Sequence, residues 1–179
     1  MTLLEFDDIA AANTYRPKGI FYSEMFLFVQ ACLEARVTLV VESGIGISTS
    51  LLSAVDRWPV IAVDRSETAV AGSSPAGVQF VHGDAQTLVP HLIATCGHTR
   101  IGVLIDGPKG MQALALKDAC LMYQAVKVVA LHSPTRGYGE TSHSHDPEWA
   151  ANRVLDRFIP DEFRERYPNG PGLTLWERA

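Results

Sequence analysis

The sequence predicts an α/β domain with a doubly wound, mostly parallel sheet and helices on both faces. Three observations carry this. Five short aliphatic segments, at 37–41, 59–64, 78–84, 101–106 and 126–131, alternate with stretches of helical periodicity. The segments are apolar at successive positions, as strands covered on both sides must be. Glu42, Asp64, Asp84 and Asp106 each stand at or just beyond the carboxyl end of a segment. In such sheets ligands sit at those ends, where the strand order reverses.

Each element has its own signal. In "GIFYSEMFLFVQACLEAR", Phe21, Met25, Phe28, Val29, Cys32 and Leu33 form one apolar stripe, which predicts the first long helix. Strand 37–41 follows. Ser48 and Thr49 can cap the next helix, which runs through Leu51, Leu52 and Val55. "PVIAVD" is the second strand, and "SETAVAGSSPAG" a loop with one weak helical turn. After the strand "VQFVHGD", "LVPHLIATC" reads as a helix with Pro90 in its first turn and Gly97 at its end. "IGVLIDGPKG" is a strand running into a turn, "MQALALKDACLMYQA" a long helix, and "VKVVAL" the fifth strand. Beyond it "HSPTRGYGETSHSHDP" is polar and aperiodic. "EWAANRVLDRFI" returns to helix, and "LTLWERA" is a terminal strand that "EFRERY" can join.

Composition bounds the function. The chain has 179 residues, 47% of them apolar, enough for one domain with its own core. A net charge of −5, with no Lys/Arg run, speaks against nucleic acid as a partner. No apolar run reaches the ~18 residues of a membrane span. The amino terminus lacks the layout of a signal peptide, and Cys32, Cys96 and Cys120 share no CxxC spacing. The expectation is a cytoplasmic protein. Part of the first helical stripe, left exposed, would make a homodimer face. Trp149 and Trp176 are read as packing residues.

The stretch "VTLVVESGIGISTSLL" is the most informative. Gly44 and Gly46 let a ligand approach the main chain, and the helix that follows offers free N–H groups. A dinucleotide pyrophosphate or S-adenosylmethionine would suit such a turn. The dinucleotide fingerprint G-x-G-x-x-G/A fails, because its sixth position is Thr49. Glu42 would face a pyrophosphate unfavourably but would attract the ammonium of a methionyl group. Asp64, at the end of the second strand, can accept both hydroxyls of a ribose, which either ligand requires.

Together "VVESGIGIST", "IAVDRS", "VHGDA" and "VLIDGPKG" resemble the ordered motifs of the class I S-adenosylmethionine-dependent methyltransferases. The resemblance covers 37–131 well and implies a Rossmann-like sheet of seven strands with an antiparallel last strand. It divides one domain into an N-terminal helical region (1–36), a cofactor-binding core (37–131) and a loop, helix and terminal hairpin (132–179). By resemblance Glu42, Gly44 and Gly46 line the methionyl side, Asp64 holds the ribose, and Asp84 with Ala85 meets the adenine edge. Ser48 replaces a glycine common in the family, and its hydroxyl can donate to a carboxylate.

Asp106 and Lys109 resemble the D-x-x-K pattern of the catechol and caffeoyl-type O-methyltransferases, in which the aspartate binds a divalent metal and the lysine is a base. The family's next pair of metal ligands matches His132 and Ser133. A histidine there argues against Mg²⁺, for a different metal, or for His132 as a base without any metal, the reading preferred from sequence. His143, His145 and Asp146 add a second candidate metal cluster, or a lid over the acceptor. The expected function is methyl transfer to oxygen of a small-molecule acceptor. A nicotinamide-dependent oxidoreductase and a non-catalytic cofactor-binding protein are its rivals.

Overall fold

The computed structural model describes residues 1–12, 22–72, 75–132, 153–154 and 173–178. In chain order the elements are α1 (Leu3–Ala12), α2 (Tyr22–Glu34), β1 (Leu39–Ser43), α3 (Ile47–Val55), β2 (Val60–Asp64), α4 (Glu67–Gly72) and β3 (Val78–His82). They continue with α5 (Ala85–Thr95), β4 (Ile101–Ile105), α6 (Met111–Leu121), β5 (Val126–His132), β6 (Arg153–Val154) and β7 (Leu173–Glu177). One seven-stranded sheet has the order β3-β2-β1-β4-β5-β7-β6. Strands β1 to β5 pair in parallel, and β7 runs antiparallel to both β5 and β6. The doubly wound, mostly parallel sheet read from the sequence is therefore the observed one.

Alternation along the strands sorts side chains into two cores. Val40, Leu104, Val128 and Ala130 join Met25, Phe28, Leu51 and Leu52 on the face covered by α1, α2 and α3. Val41, Val103, Ile105 and Val129 join Val89, Ile93, Leu116 and Trp176 on the face covered by α5 and α6. Because successive strand residues point to opposite faces, Glu42 follows Val40 toward α3, Asp106 follows Leu104, and His132 follows Ala130 toward α2. The apolar stripe of α2 is core: Met25, Phe28, Val29 and Cys32 are fully buried. Trp176 is buried too, with Lys117 Nζ 5.2 Å from its ring.

Several boundaries differ from expectation. Strand β1 starts later and runs through Glu42 and Ser43. Gly46, not Ser48 or Thr49, is the N-cap of α3. Its N–H donates to Thr49 Oγ1 at 3.0 Å, so the threonine caps from within the first turn. Helix α5 begins at Ala85 because Asp84 caps it, which places Pro90 inside the helix rather than in its first turn. Helix α1 was not foreseen, although "TLLE" spells its start. Thr2 Oγ1 accepts from Glu5 N at 3.2 Å and Glu5 Oε2 from Thr2 N at 2.6 Å, a reciprocal capping box. Arg153 and Val154, expected in a helix, pair with β7 instead, where its free edge satisfies their backbone. Trp149, His143, His145, Asp146, Ser133 and "EFRERY" lie outside the described residues.

Candidate functional site

Strand register assembles the site. Val63, Ser43, Ile105 and Leu131 form one row across β2, β1, β4 and β5. One step further toward the carboxyl ends, the same row reads Asp64, Gly44, Asp106 and His132. Glu42 lies one step behind. Between β1 and β4 the chain changes direction across the sheet, so this is the switch point where a doubly wound fold opens a crevice.

The crevice floor is backbone. Ser43 O accepts from Asp106 N at 2.9 Å and from Gly107 N at 2.8 Å, which ties the β1 turn to the β4 turn. Gly44 N donates to Val63 O at 2.9 Å. Gly44 has φ +92°, and a Cβ there would stand 2.9 Å from Gly107 N. Only glycine fits both the conformation and the space. Over this floor opens a cleft of about 160 Å³, lined by Gly44, Asp64, Arg65, Gly83, Ala85 and Pro108.

Two buried side-chain atoms among the described residues lack a hydrogen-bond partner: Glu42 Oε2 and Ser43 Oγ. They stand on opposite faces of β1, directly before the glycine turn. Glu42 is fully buried, and Ser48 Oγ donates to its other oxygen, Oε1. Burial pushes the Glu42 carboxyl up to about 8, and the nearby charges of Asp106 and Asp64 add to this; the Ser48 and Thr49 hydroxyls only partly offset it. Buried polar atoms ordinarily have a partner, so this oxygen is exceptional in lacking one.

Asp64 braces the same turn. Its Oδ2 accepts from Ile45 N at 2.8 Å, and its Oδ1 from Ser66 N at 2.8 Å. Each oxygen keeps a second lone pair for the cleft it lines. Asp84 is less available. Its Oδ1 caps α5 through Gln86 N at 3.3 Å and pairs with Arg65 Nη2 at 2.6 Å. The Arg65 hydrogen bond holds its carboxyl below the ordinary range.

At the far end of the row is a four-membered charge cluster. Asp106 Oδ1 accepts from Lys109 Nζ at 2.7 Å and lies 2.5 Å from His132 Nδ1. His132 Nε2 stands 3.3 Å from Glu24 Oε2. Glu24 and His132 are buried, whereas Lys109 is exposed. Burial opposes protonation of His132, but its bonds to Asp106 and Glu24 outweigh this and raise it to about 9. Burial likewise disfavours an Asp106 carboxylate, yet His132 and Lys109 hold its carboxyl below the usual range. Both ring nitrogens face carboxylates, an arrangement that favours the imidazolium over the lone pair that a general-base role for His132 requires.

Glu24 is the member that sequence reasoning missed. Its signal is a carboxylate one turn before Phe28 on an otherwise apolar helix face.

The pH dependence of stability follows. Glu42 holds, when folded, a proton that the unfolded chain releases near 4.5. Its contribution is present below about 4.5 and is lost as pH rises to about 8. The His132 contribution is complete below 6.5 and is lost as pH rises through about 9. Both act in the same direction. The melting temperature of the ligand-free protein therefore falls by several degrees between neutral pH and pH ~9. Calorimetric melting against pH reads this, and a rising or flat profile would contradict the assigned burial.

No family model and no curated protein matches the sequence of this chain. Solved structures do match its shape. MycE, a methyltransferase from the mycinamycin biosynthetic pathway in complex with Mg and SAH, superposes at a TM-score of 0.60. The identity is 10%, over 96% of this chain and 54% of that one, so the chain spans about half the length of MycE. A candidate caffeoyl-CoA O-methyltransferase from Staphylococcus aureus gives 0.56 at 15% identity, over 100% of this chain and 93% of that one. A TehB-like SAM-dependent methyltransferase from Corynebacterium glutamicum gives 0.53 at 13% identity, over 98% and 95%.

The chain has the class I methyltransferase fold.

Within this fold, Glu42, Gly44, Ser48 and Asp64 come together around the β1 turn. Gly46 borders it with open space over its Cα, and Ala85 lines the cleft beside Asp84. Asp106, Lys109 and His132 gather at the β4–β5 side. Among the described residues, no three His, Cys, Asp or Glu side chains are arranged to hold a metal. No helix among them is long and apolar enough to cross a membrane.

Proposed function

We propose that this protein is an S-adenosylmethionine-dependent methyltransferase acting on oxygen of a small-molecule acceptor. One observation carries the reading: a fully buried carboxylate, with one oxygen lacking a donor, directly beneath a glycine turn at the switch point. An ammonium supplies what that oxygen lacks. A dinucleotide pyrophosphate is acceptor-only at its phosphates and brings no hydrogen to it.

When bound, S-adenosylmethionine supplies an electrophilic methyl group. The chain's residues do the rest. Glu42 takes the ammonium, Gly44 and Gly46 admit the methionyl end, Asp64 accepts from the ribose, and Ala85 borders the adenine beside Asp84. At the other end, the exposed Lys109 ammonium, held beside Asp106 and His132, can donate to an acceptor oxygen and favours its anionic form. A phenol or carboxylic acid then needs no protein base, because that ammonium lowers its pKa and its proton leaves to solvent. Cys32, Cys96 and Cys120 take part in no disulfide, which is compatible with the reducing cytoplasm in which we place the chain.

Titration calorimetry tests the core of this. S-adenosylhomocysteine binds one per chain, and NAD gives no heat. Binding of NAD, or no binding of S-adenosylhomocysteine, overturns the assignment. Transfer of a labelled methyl to a panel of phenols and carboxylic acids then reads the acceptor class. Lys109→Ala slows that transfer by about 10²-fold and leaves S-adenosylhomocysteine affinity unchanged.

A further inference from the structure

The resemblance to catechol and caffeoyl-type enzymes implies a divalent cation on Asp106, and the MycE structure contains Mg. The donor set among the described residues does not fit one. Asp106 Oδ1 already receives Lys109 Nζ at 2.7 Å and His132 Nδ1 at 2.5 Å, and the two nitrogens are 3.5 Å apart. A dication coordinated by Asp106 would lie against both of these cations and be repelled by each.

Nor can His132 become a ligand as it stands. A metal-bound imidazole offers a lone pair on one nitrogen. Here Nδ1 faces Asp106 and Nε2 faces Glu24 at 3.3 Å, both inside the protein. Glu24 arrives from α2, a different layer of the fold, and is completely buried. Two carboxylates on opposite sides of one ring are the arrangement that retains an imidazolium. The quartet Glu24, His132, Asp106 and Lys109 is charge-balanced without any ion from solution.

We infer that the His132 imidazolium and the Lys109 ammonium are the resident cations of the acceptor end, and that Asp106 does not bind a divalent metal. The purpose of these cations rests on the methyl-transfer reading. Their exclusion of a metal does not.

Manganese binding to the full chain tests this directly. Titrating the wild-type protein with Mn²⁺ to millimolar concentration leaves the free-ion paramagnetic resonance signal at its intensity in buffer. Loss of one equivalent of signal per chain, restored in Asp106→Asn, overturns the inference. Loss that persists in Asp106→Asn places the ion away from Asp106 and upholds it. A second measurement needs no folded variant. In the wild-type proton spectrum, the His132 ring resonances stay sharp as Mn²⁺ is added, and stoichiometric broadening counts against the inference. Calorimetry with S-adenosylhomocysteine on the same samples separates the two readings. A chain that binds both ligands keeps the function and loses the inference; one that binds neither does the reverse.

Discussion

Replacing Glu42 with glutamine weakens S-adenosylhomocysteine binding by about 100-fold, roughly 3 kcal/mol. Glutamine matches glutamate in shape and still accepts from Ser48, so the turn is retained. It cannot become negative when an ammonium arrives. In the wild-type protein burial holds this carboxyl at about 8, so near neutral pH most molecules carry it protonated. An ammonium placed beside it lowers that value and expels the proton. Wild-type binding therefore releases close to one proton near pH 6–7 and tightens as pH rises toward 8. Calorimetry in buffers of different ionisation enthalpy reads that release, and Glu42→Gln abolishes it. The same variant flattens the fall of melting temperature that Glu42 causes in the ligand-free protein. An unchanged affinity, with proton release intact, would remove Glu42 from the binding site.

The second large effect is at Gly44. Gly44→Ala destabilises the fold by about 3 kcal/mol, from a left-handed backbone that a Cβ disfavours and from a steric conflict. That Cβ would lie 2.9 Å from Gly107 N and 3.3 Å from Asp106 C, both backbone atoms held by Ser43 O. No flexible side-chain end is available to yield. A loss of this size lowers the melting temperature by about 6–12 °C in a domain of this length, and it opens the floor on which the cleft rests. Gly46→Ala is the control. Gly46 has an extended φ of −169°, and nothing lies within 4 Å of the site of its Cβ. That variant keeps its melting temperature, and any effect it has is on ligand affinity. If the two variants melt alike, the switch-point floor is not the rigid structure described here.

Much of the fold was legible because parallel strands and amphipathic helices write their period into local sequence. The aliphatic segments ending in Glu42, Asp64, Asp84 and Asp106 located four strand ends to within about two residues. Errors came where a signal was overlooked or a contact was distant. The box "TLLE" announces α1 in four letters. Asp84 moved the start of α5 and enclosed Pro90, because a cap outweighs the usual place of a proline. The pairing of Arg153 and Val154 with β7 depends on an edge formed elsewhere in the chain.

The sequence by itself determined the sheet, the bare turn and the carboxylates at the strand tips. Each of these follows from residue type, local period or backbone freedom. The tertiary structure decided what those groups meet. His132 lies 26 residues after Asp106 and over a hundred after Glu24, and only the β4–β5 register and the docking of α2 bring them together. A free histidine in the sequence reads equally well as base, ligand or cation. Enclosed between two carboxylates it is a cation, because proton affinity is set by neighbours in space, not by neighbours in the chain.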